Sequence, residues 1–253
     1  MGTLITYLTF ALLINILMFI PAFIYKTDKL TDLSYSLTFI FLITFSLLKN
    51  SIVPLNIVVW LAVFLWGVRL GAFLFIRIRK ITKDKRFDGI RESFFAFLRF
   101  WVLQGLAVWV ILLPSLLFIQ SDNKSVFMPG ISIWLFGLII ESFADLQKYK
   151  FTQNPSNKDK FINVGLWKYS RHPNYFGEIL CWLGIYIFVF PSLSFLFQII
   201  ALSGPLFIVV LLLFATGIPP LEKYADKKWG KDKSYVDYKS KTSILIPWFN
   251  KNA

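Results

Sequence analysis

Residues 94–119 read FFAFLRFWVLQGLAVWVILLPSLLFI, twenty-six positions with Arg99 as the only charge. About 20 helical residues cross the roughly 30 Å of bilayer hydrocarbon. This stretch is therefore read as a transmembrane helix. Six more apolar runs flank it, at roughly 3–25, 32–48, 54–76, 129–147, 175–190 and 192–217. The second and sixth are short for a span and call for a thinned bilayer, extension or shielding by protein. The pattern predicts an all-α, polytopic membrane bundle of seven helices, forming a single membrane domain over 1–253 with a polar tail at 218–253.

Charge between the runs alternates. The first loop carries Lys26 and Lys29, the second only Lys49, and the fourth only Lys124. The third carries Arg77, Arg79, Lys80, Lys83, Lys85, Arg86 and Arg91. The fifth carries Lys148, Lys150, Lys158, Lys160, Lys168 and Arg171, the sixth none, and the tail eight. Cations mark the cytoplasmic side. The N-terminus is thus expected outside and the C-terminus in the cytoplasm, in a bacterial inner membrane or the endoplasmic reticulum. The first run lacks a basic lead and exceeds the 7–15 apolar residues of a cleavable signal, so it is expected to stay as a span.

The chain is 57% hydrophobic with a formal net charge of +13. Because the cations sit on one side of a membrane pattern, they argue against nucleic acid. They favour anionic lipid headgroups or a phosphate-bearing cofactor. Cys181 and His172 are the only cysteine and histidine. That excludes a disulfide within the chain, a Cys/His metal cluster and any mechanism needing two imidazoles.

Two loops stand out. Asp88-Gly89 in the third is a turn signal. The fifth, about 148–174, contains a helix-breaking cluster at Gln153-Asn154-Pro155-Ser156-Asn157, then an apolar stretch, 161–167, too short to span. Pro173 suits the first turn of the sixth helix. In the tail, Pro219-Pro220 opens a helix with Leu221, Tyr224, Ala225 and Trp229 at helical spacing. Ile244 to Phe249 reads as an interfacial anchor.

Ionisable residues within spans cost about 2.5–3.5 kcal/mol on the insertion scale and are candidates for function. Arg69 lies in the third span and Arg99 in the fourth. Glu141 and Asp145 are four apart on one face of the fifth, followed by Lys148, and Glu178 is in the first turn of the sixth. Pairing that holds the bundle together is the plain reading of such residues. For Arg69, Asp145 and Glu178 a polar cavity near the basic fifth loop is the sharper one.

Residues 165–180, GLWKYSRHPNYFGEIL, resemble the signature of the steroid 5-alpha-reductase C-terminal family. More distantly they are similar to isoprenylcysteine carboxyl methyltransferases, which share an Arg-His-Pro-x-Tyr segment. Three other regions follow the family in order. They are Trp66-Gly67-Val68-Arg69, the acidic segment Glu141 to Lys150, and the tail with Glu222, Trp229, Tyr235, Tyr238 and Leu245-Ile246-Pro247. The resemblance covers about 60–250; the first two helices match by hydropathy.

The resemblance implies a reductase that moves hydride from NADPH to a conjugated double bond in a hydrophobic, lipid-borne substrate. It implies a cofactor site of Arg69, Asp145, Lys148, Lys160, Arg171, His172, Asn174, Glu178, Tyr235 and Tyr238. With no Gly-x-Gly-x-x-Gly fingerprint, that site would lie within the helix bundle. Steroid reductases hold the substrate carbonyl with a second-helix glutamate and a tyrosine three residues before the third-helix arginine. Here Trp66 takes the tyrosine's place and no acid lies within 33–48. Asp32 and Tyr35 are the local substitutes, and with Glu178 they form the catalytic set. The methyltransferase reading, with S-adenosylmethionine as cofactor, stays open, since Arg171-His172-Pro173-x-Tyr175 suits both. A seven-span receptor or channel shares the topology but leaves the clustered polar residues without a use.

Overall fold

The computed structural model describes residues 2–80 and 87–248, and residues 77–80 by their backbone alone. Lys83, Lys85 and Arg86 of the third loop and Phe249 of the expected anchor lie outside the described residues.

Helices α1 (Gly2–Ile24), α2 (Lys29–Lys49), α3 (Pro54–Lys80), α4 (Phe94–Gln120), α5 (Pro129–Gln153), α6 (Pro173–Val189) and α7 (Phe195–Val210) follow the seven runs. Among the described residues, seven helices are long and apolar enough to cross a membrane. The protein is a multi-pass integral membrane protein. Both short runs gain length. α2 has 21 residues, because Lys29–Thr31 extend it past its apolar stretch. α6 continues through a 3-10 turn at Phe190–Ser192, so that span reaches 20 residues. α5 likewise runs on to Gln153, where Asn154 stops it by accepting the Ser156 N–H.

The tail departs from the single helix expected. A π turn at Leu211–Ala215 and Gly217 end the last span. Then α8 (Ile218–Trp229) and α9 (Lys233–Lys241) follow as two helices. Gly230 ends the first, and the Asp232 carboxylate caps the second by accepting the Ser234 N–H at 2.8 Å.

The chain forms two compact units, Met1–Phe127 with Val189–Gly204, and Met128–Phe188 with Pro205–Ala253. The first is tied by buried amides. Gln104 of α4 donates from Nε2 to Asn15 Oδ1 (2.8 Å), Ser34 Oγ (2.8 Å) and the Thr31 carbonyl (3.1 Å). Asn15 in turn donates to Thr38 Oγ1 at 3.2 Å. Lipid tails offer helices no hydrophobic reason to associate, so packing and such bonds hold them. The same unit holds an aromatic cluster of Phe19, Phe87, Phe97 and Trp101. Arg91, fully buried, is held by Asp28 at 2.7 Å, Glu92 at 3.3 Å and Asp88. The Asp88-Gly89 turn is present, with Gly89 at φ +81°.

In the second unit α5 and α6 run antiparallel with their backbones in direct contact. A Cβ on Gly137 would fall 2.6 Å from the Gly177 carbonyl, and one on Gly177 2.6 Å from the Glu141 nitrogen. Seven residues along each helix, Gly130 and Gly184 repeat the arrangement. Only residues without a Cβ permit this approach. It brings the polar residues of α5 and of the α6 N-terminus to one place.

Candidate functional site

The second unit gathers its polar residues in two groups. The inner group starts from α5, where Glu141 and Asp145 are buried one turn apart. Asn174, in the first turn of α6, donates from Nδ2 to Asp145 Oδ1 at 3.2 Å. This fixes the amide's orientation, because its oxygen could not face a carboxylate. Asn174 Oδ1 is then buried with no hydrogen-bond partner among the described residues. A buried acceptor left so costs about 1–3 kcal/mol. Further along α6, Cys181 Sγ lies 3.9 Å from Glu141 Oε2 and 3.7 Å from the Trp134 carbonyl. Glu178, half-buried, stands one helical turn after Asn174.

The outer group is assembled by the fifth loop and the tail. Gln147 Oε1 accepts the Leu166 N–H at 2.9 Å, and its amide packs against Gly165, which adopts φ +61°. That turn buries Trp167, whose Nε1 donates to the Ala144 carbonyl at 3.0 Å. Lys148 Nζ sits 4.8 Å above the Trp167 ring. The chain then meets the tail through an isolated parallel bridge between Ser170 and Ser243. The Arg171 N–H donates to the Ser243 carbonyl at 2.8 Å and Ser170 Oγ to the Leu245 carbonyl at 2.7 Å.

Glu222 of α8 is the hub of this group. It accepts from His172 Nε2 at 2.9 Å and pairs with Arg171 at 3.3 Å and Lys239 at 3.2 Å. Burial alone would raise its carboxyl, but the His172 hydrogen bond and the Arg171 charge bring it down to about 2. Burial lowers the His172 imidazole below its usual value, against the upward pull of Glu222. A neutral imidazole donating Nε2–H to an ionised carboxylate satisfies both. Arg171 Nε is buried without a hydrogen-bond partner among the described residues.

The two tail tyrosines are structural donors here. Tyr238 OH donates to the Trp167 carbonyl at 2.6 Å, and Tyr235 OH to Asp226 at 3.2 Å. Burial raises both phenols, Tyr235 to about 12 with the help of Asp226, so both keep their protons at neutral pH. Phe161 packs 5.3 Å from each ring.

Over residues 18–242 the sequence matches the family described as "Protein of unknown function (DUF1295)". The chain belongs to that family. The DUF1295 match takes in the end of α1 from Met18 and all of α2, which hydropathy alone had linked to the resemblance, and every candidate site residue. An uncharacterised protein of the fission yeast Schizosaccharomyces pombe is 24% identical over 146 residues, 48% of this chain. The aligned part is 41% of that relative, so the chain spans less than half its length. No solved structure matches the chain.

In this DUF1295 member the expected site residues are thus distributed unevenly. Asp145 with Asn174, and Arg171 with His172, are brought into two groups joined by the short run 171–174. Lys148 lies over the loop's tryptophan, and Lys160 is exposed on the loop. Asp32, Tyr35 and Arg69 belong to the first unit. There Tyr35 and Trp66 both pack edge-on against Phe39, each with ring centroids 5.0 Å apart. The hub residue, Glu222, was visible in sequence only as part of a tail motif. Gln147 and Trp167 lay inside the quoted segments without being singled out, and Lys239 gave no signal beyond its residue type.

Proposed function

We propose that this protein is a membrane-embedded oxidoreductase that binds NADPH and reduces a conjugated carbon–carbon double bond of a hydrophobic substrate. The observation that carries this reading is Asn174. Its amide nitrogen is committed to Asp145, and its oxygen is a buried acceptor without a donor. A carboxamide N–H, such as that of nicotinamide, would meet that acceptor and offset its desolvation. Arg171 Nε is a second buried atom without a partner among the described residues, and would donate to a phosphate oxygen. The residues present therefore fit a dinucleotide.

NADPH, when bound, supplies the hydride. The chain's residues do the rest. Asp145 fixes the Asn174 amide, and Glu222 holds Arg171 and His172 in register. The cations of the fifth loop, with Lys160 among them, provide charge for the additional phosphate that separates NADPH from NADH. Glu178, one turn after Asn174, is proposed to orient the same amide. Hydride addition builds negative charge on a substrate carbonyl oxygen, which calls for a hydrogen-bond donor there.

Thermal unfolding of the detergent-solubilised protein tests the cofactor. NADPH at a hundred times its dissociation constant should stabilise by about 2.7 kcal/mol. NADH should do so more weakly, and Lys160→Ala should narrow that difference. Stabilisation by S-adenosylmethionine alone would establish the methyltransferase alternative. Equal affinity for NADPH and NADH would remove the phosphate argument.

A further inference from the structure

Helix α8 has two faces with different work. Inward lie Ile218, buried, and Glu222, which holds Arg171 and His172. Trp229, on the same side, donates to the Asp159 carbonyl at 2.6 Å. Pro220, Lys223, Tyr224 and Lys227 are all exposed. At about 100° per residue they fall within an arc of about 100° on the other side. Lys231 follows in the turn to α9, and Lys233 opens that helix.

The lysines of the tail divide the same way. Lys228, Lys239 and Lys241 pair with Asp159, Glu222 and Asp237. Lys223, Lys227, Lys231 and Lys233 form no ion pair among the described residues. Over 218–248 seven lysines stand against four acids, so the excess falls on this outward face. It also carries an aromatic ring in the open, Tyr224 at 60% exposure, and Trp248 at the end of the tail is 70% exposed. A purely solvated charged face has no use for exposed rings. An interface of phosphates over acyl chains accommodates both, with aromatic rings at headgroup level and lysines against the phosphates. Continuity supplies the occupant. α8 starts directly after the π turn and Gly217 that end α7, and so begins where the last span leaves the hydrocarbon.

We propose that the outward face of α8, with the turn into α9, binds the phosphates of anionic phospholipids in the leaflet where α7 ends. Because Glu222 is on the opposite face of the same helix, bound lipid presses the hub onto Arg171 and His172. Lipid charge would then set how often the tail opens away from residues 165–172. This site is independent of the cofactor assigned above.

Amide hydrogen exchange over residues 224–234 tests it, with the full chain in nanodiscs. One set is phosphatidylcholine alone and the other phosphatidylcholine mixed with phosphatidylglycerol. Exchange should be at least about fivefold slower in the anionic discs, the contribution of a single lysine near a charged leaflet. The Lys223→Glu/Lys227→Glu variant should exchange equally in both discs. Its melting in detergent should match the parent, since neither side chain forms an ion pair among the described residues. Equal exchange of the parent in both discs would overturn the proposal. So would slowing by inorganic phosphate in neutral discs, which would reassign the face to a free anion.

Discussion

Gly137 of α5 and Gly177 of α6 touch through their backbones. A Cβ on either would lie within 2.8 Å of the other helix's main chain. Gly177 stands in the Asn-Tyr-Phe-Gly-Glu segment whose resemblance suggested a cofactor role. Its observed contact is with Glu141 and Gly137, so its work is to let the inner polar residues meet.

Gly177→Val should therefore destabilise the protein by at least the overpacking range of about 1–3 kcal/mol. The expected signs are a lower melting temperature in detergent and loss of a monodisperse peak. A Gly177→Ala variant that melts like the parent would show that the helices separate at little cost.

Asn174→Ala removes one hydrogen bond and one unpaired acceptor together. Stability should fall by only about 1 kcal/mol, while nucleotide affinity should fall tenfold or more. Asp145→Asn should weaken the nucleotide in parallel, because the Asn174 amide loses its fixed orientation. A variant that melts and binds like the parent would send the search for the carboxamide contact to Glu178.

The hub predicts a pH dependence of one sign. His172 is lowered from 6.5 and Glu222 from 4.5 to about 2. In each case the unfolded chain takes up protons first as pH falls. Stability is full above pH 6.5, declines below it through His172, and declines again between 4.5 and about 2 through Glu222. Protease sensitivity of the tail should follow the same two steps. His172→Asn should remove the first, and Glu222→Gln should weaken the tail already at neutral pH.

Gly165 takes a left-handed conformation at φ +61°, and a Cβ there would lie 2.5 Å from Gln147 Oε1. Gly165→Ala combines that collision with left-handed strain of about 1–2 kcal/mol. Trp167 should lose its burial, seen as a red-shifted, more quenchable fluorescence component. Gln147→Ala in the same chain relieves the collision but leaves the strain, so it should restore stability only in part.

Loop charge predicts residue 123 outside and residue 157 inside. Cys181 is buried, so single cysteines at Asn123 and Asn157 report alone. An impermeant maleimide on intact cells should label the first and spare the second. The opposite result would invert the topology.

Hydropathy made the seven spans legible because each run exceeds, or nearly reaches, the membrane's demand for apolar length. What it underestimated were the ends. Polar residues such as Lys29 and Gln153 continue a helix without contributing to an apolar count. In the tail, the helical spacing of Leu221, Tyr224, Ala225 and Trp229 reported α8, while the break at Gly230 and Asp232 went unread. Asp145 and Asn174 were each readable as polar residues near a basic loop. That they touch depends on the glycine contact between two helices, which no local pattern reports. Glu222 reaches His172 across fifty positions of chain, through a tail that folds back, and only the three-dimensional arrangement reveals it.

The Gln104 amide has a bearing on how the chain is made. Its donors end on Asn15, Thr31 and Ser34, residues synthesised seventy or more positions earlier. While the ribosome has released only the first two helices, Asn15 lacks the donor that completes its bonding. Those helices thus leave the translocon with polar groups still unmet, and α4 supplies what they lack. Biogenesis of the N-terminal unit waits for residue 104. A Gln104→Leu chain would insert its first helices normally, yet expose them unfinished to the membrane's quality-control proteases.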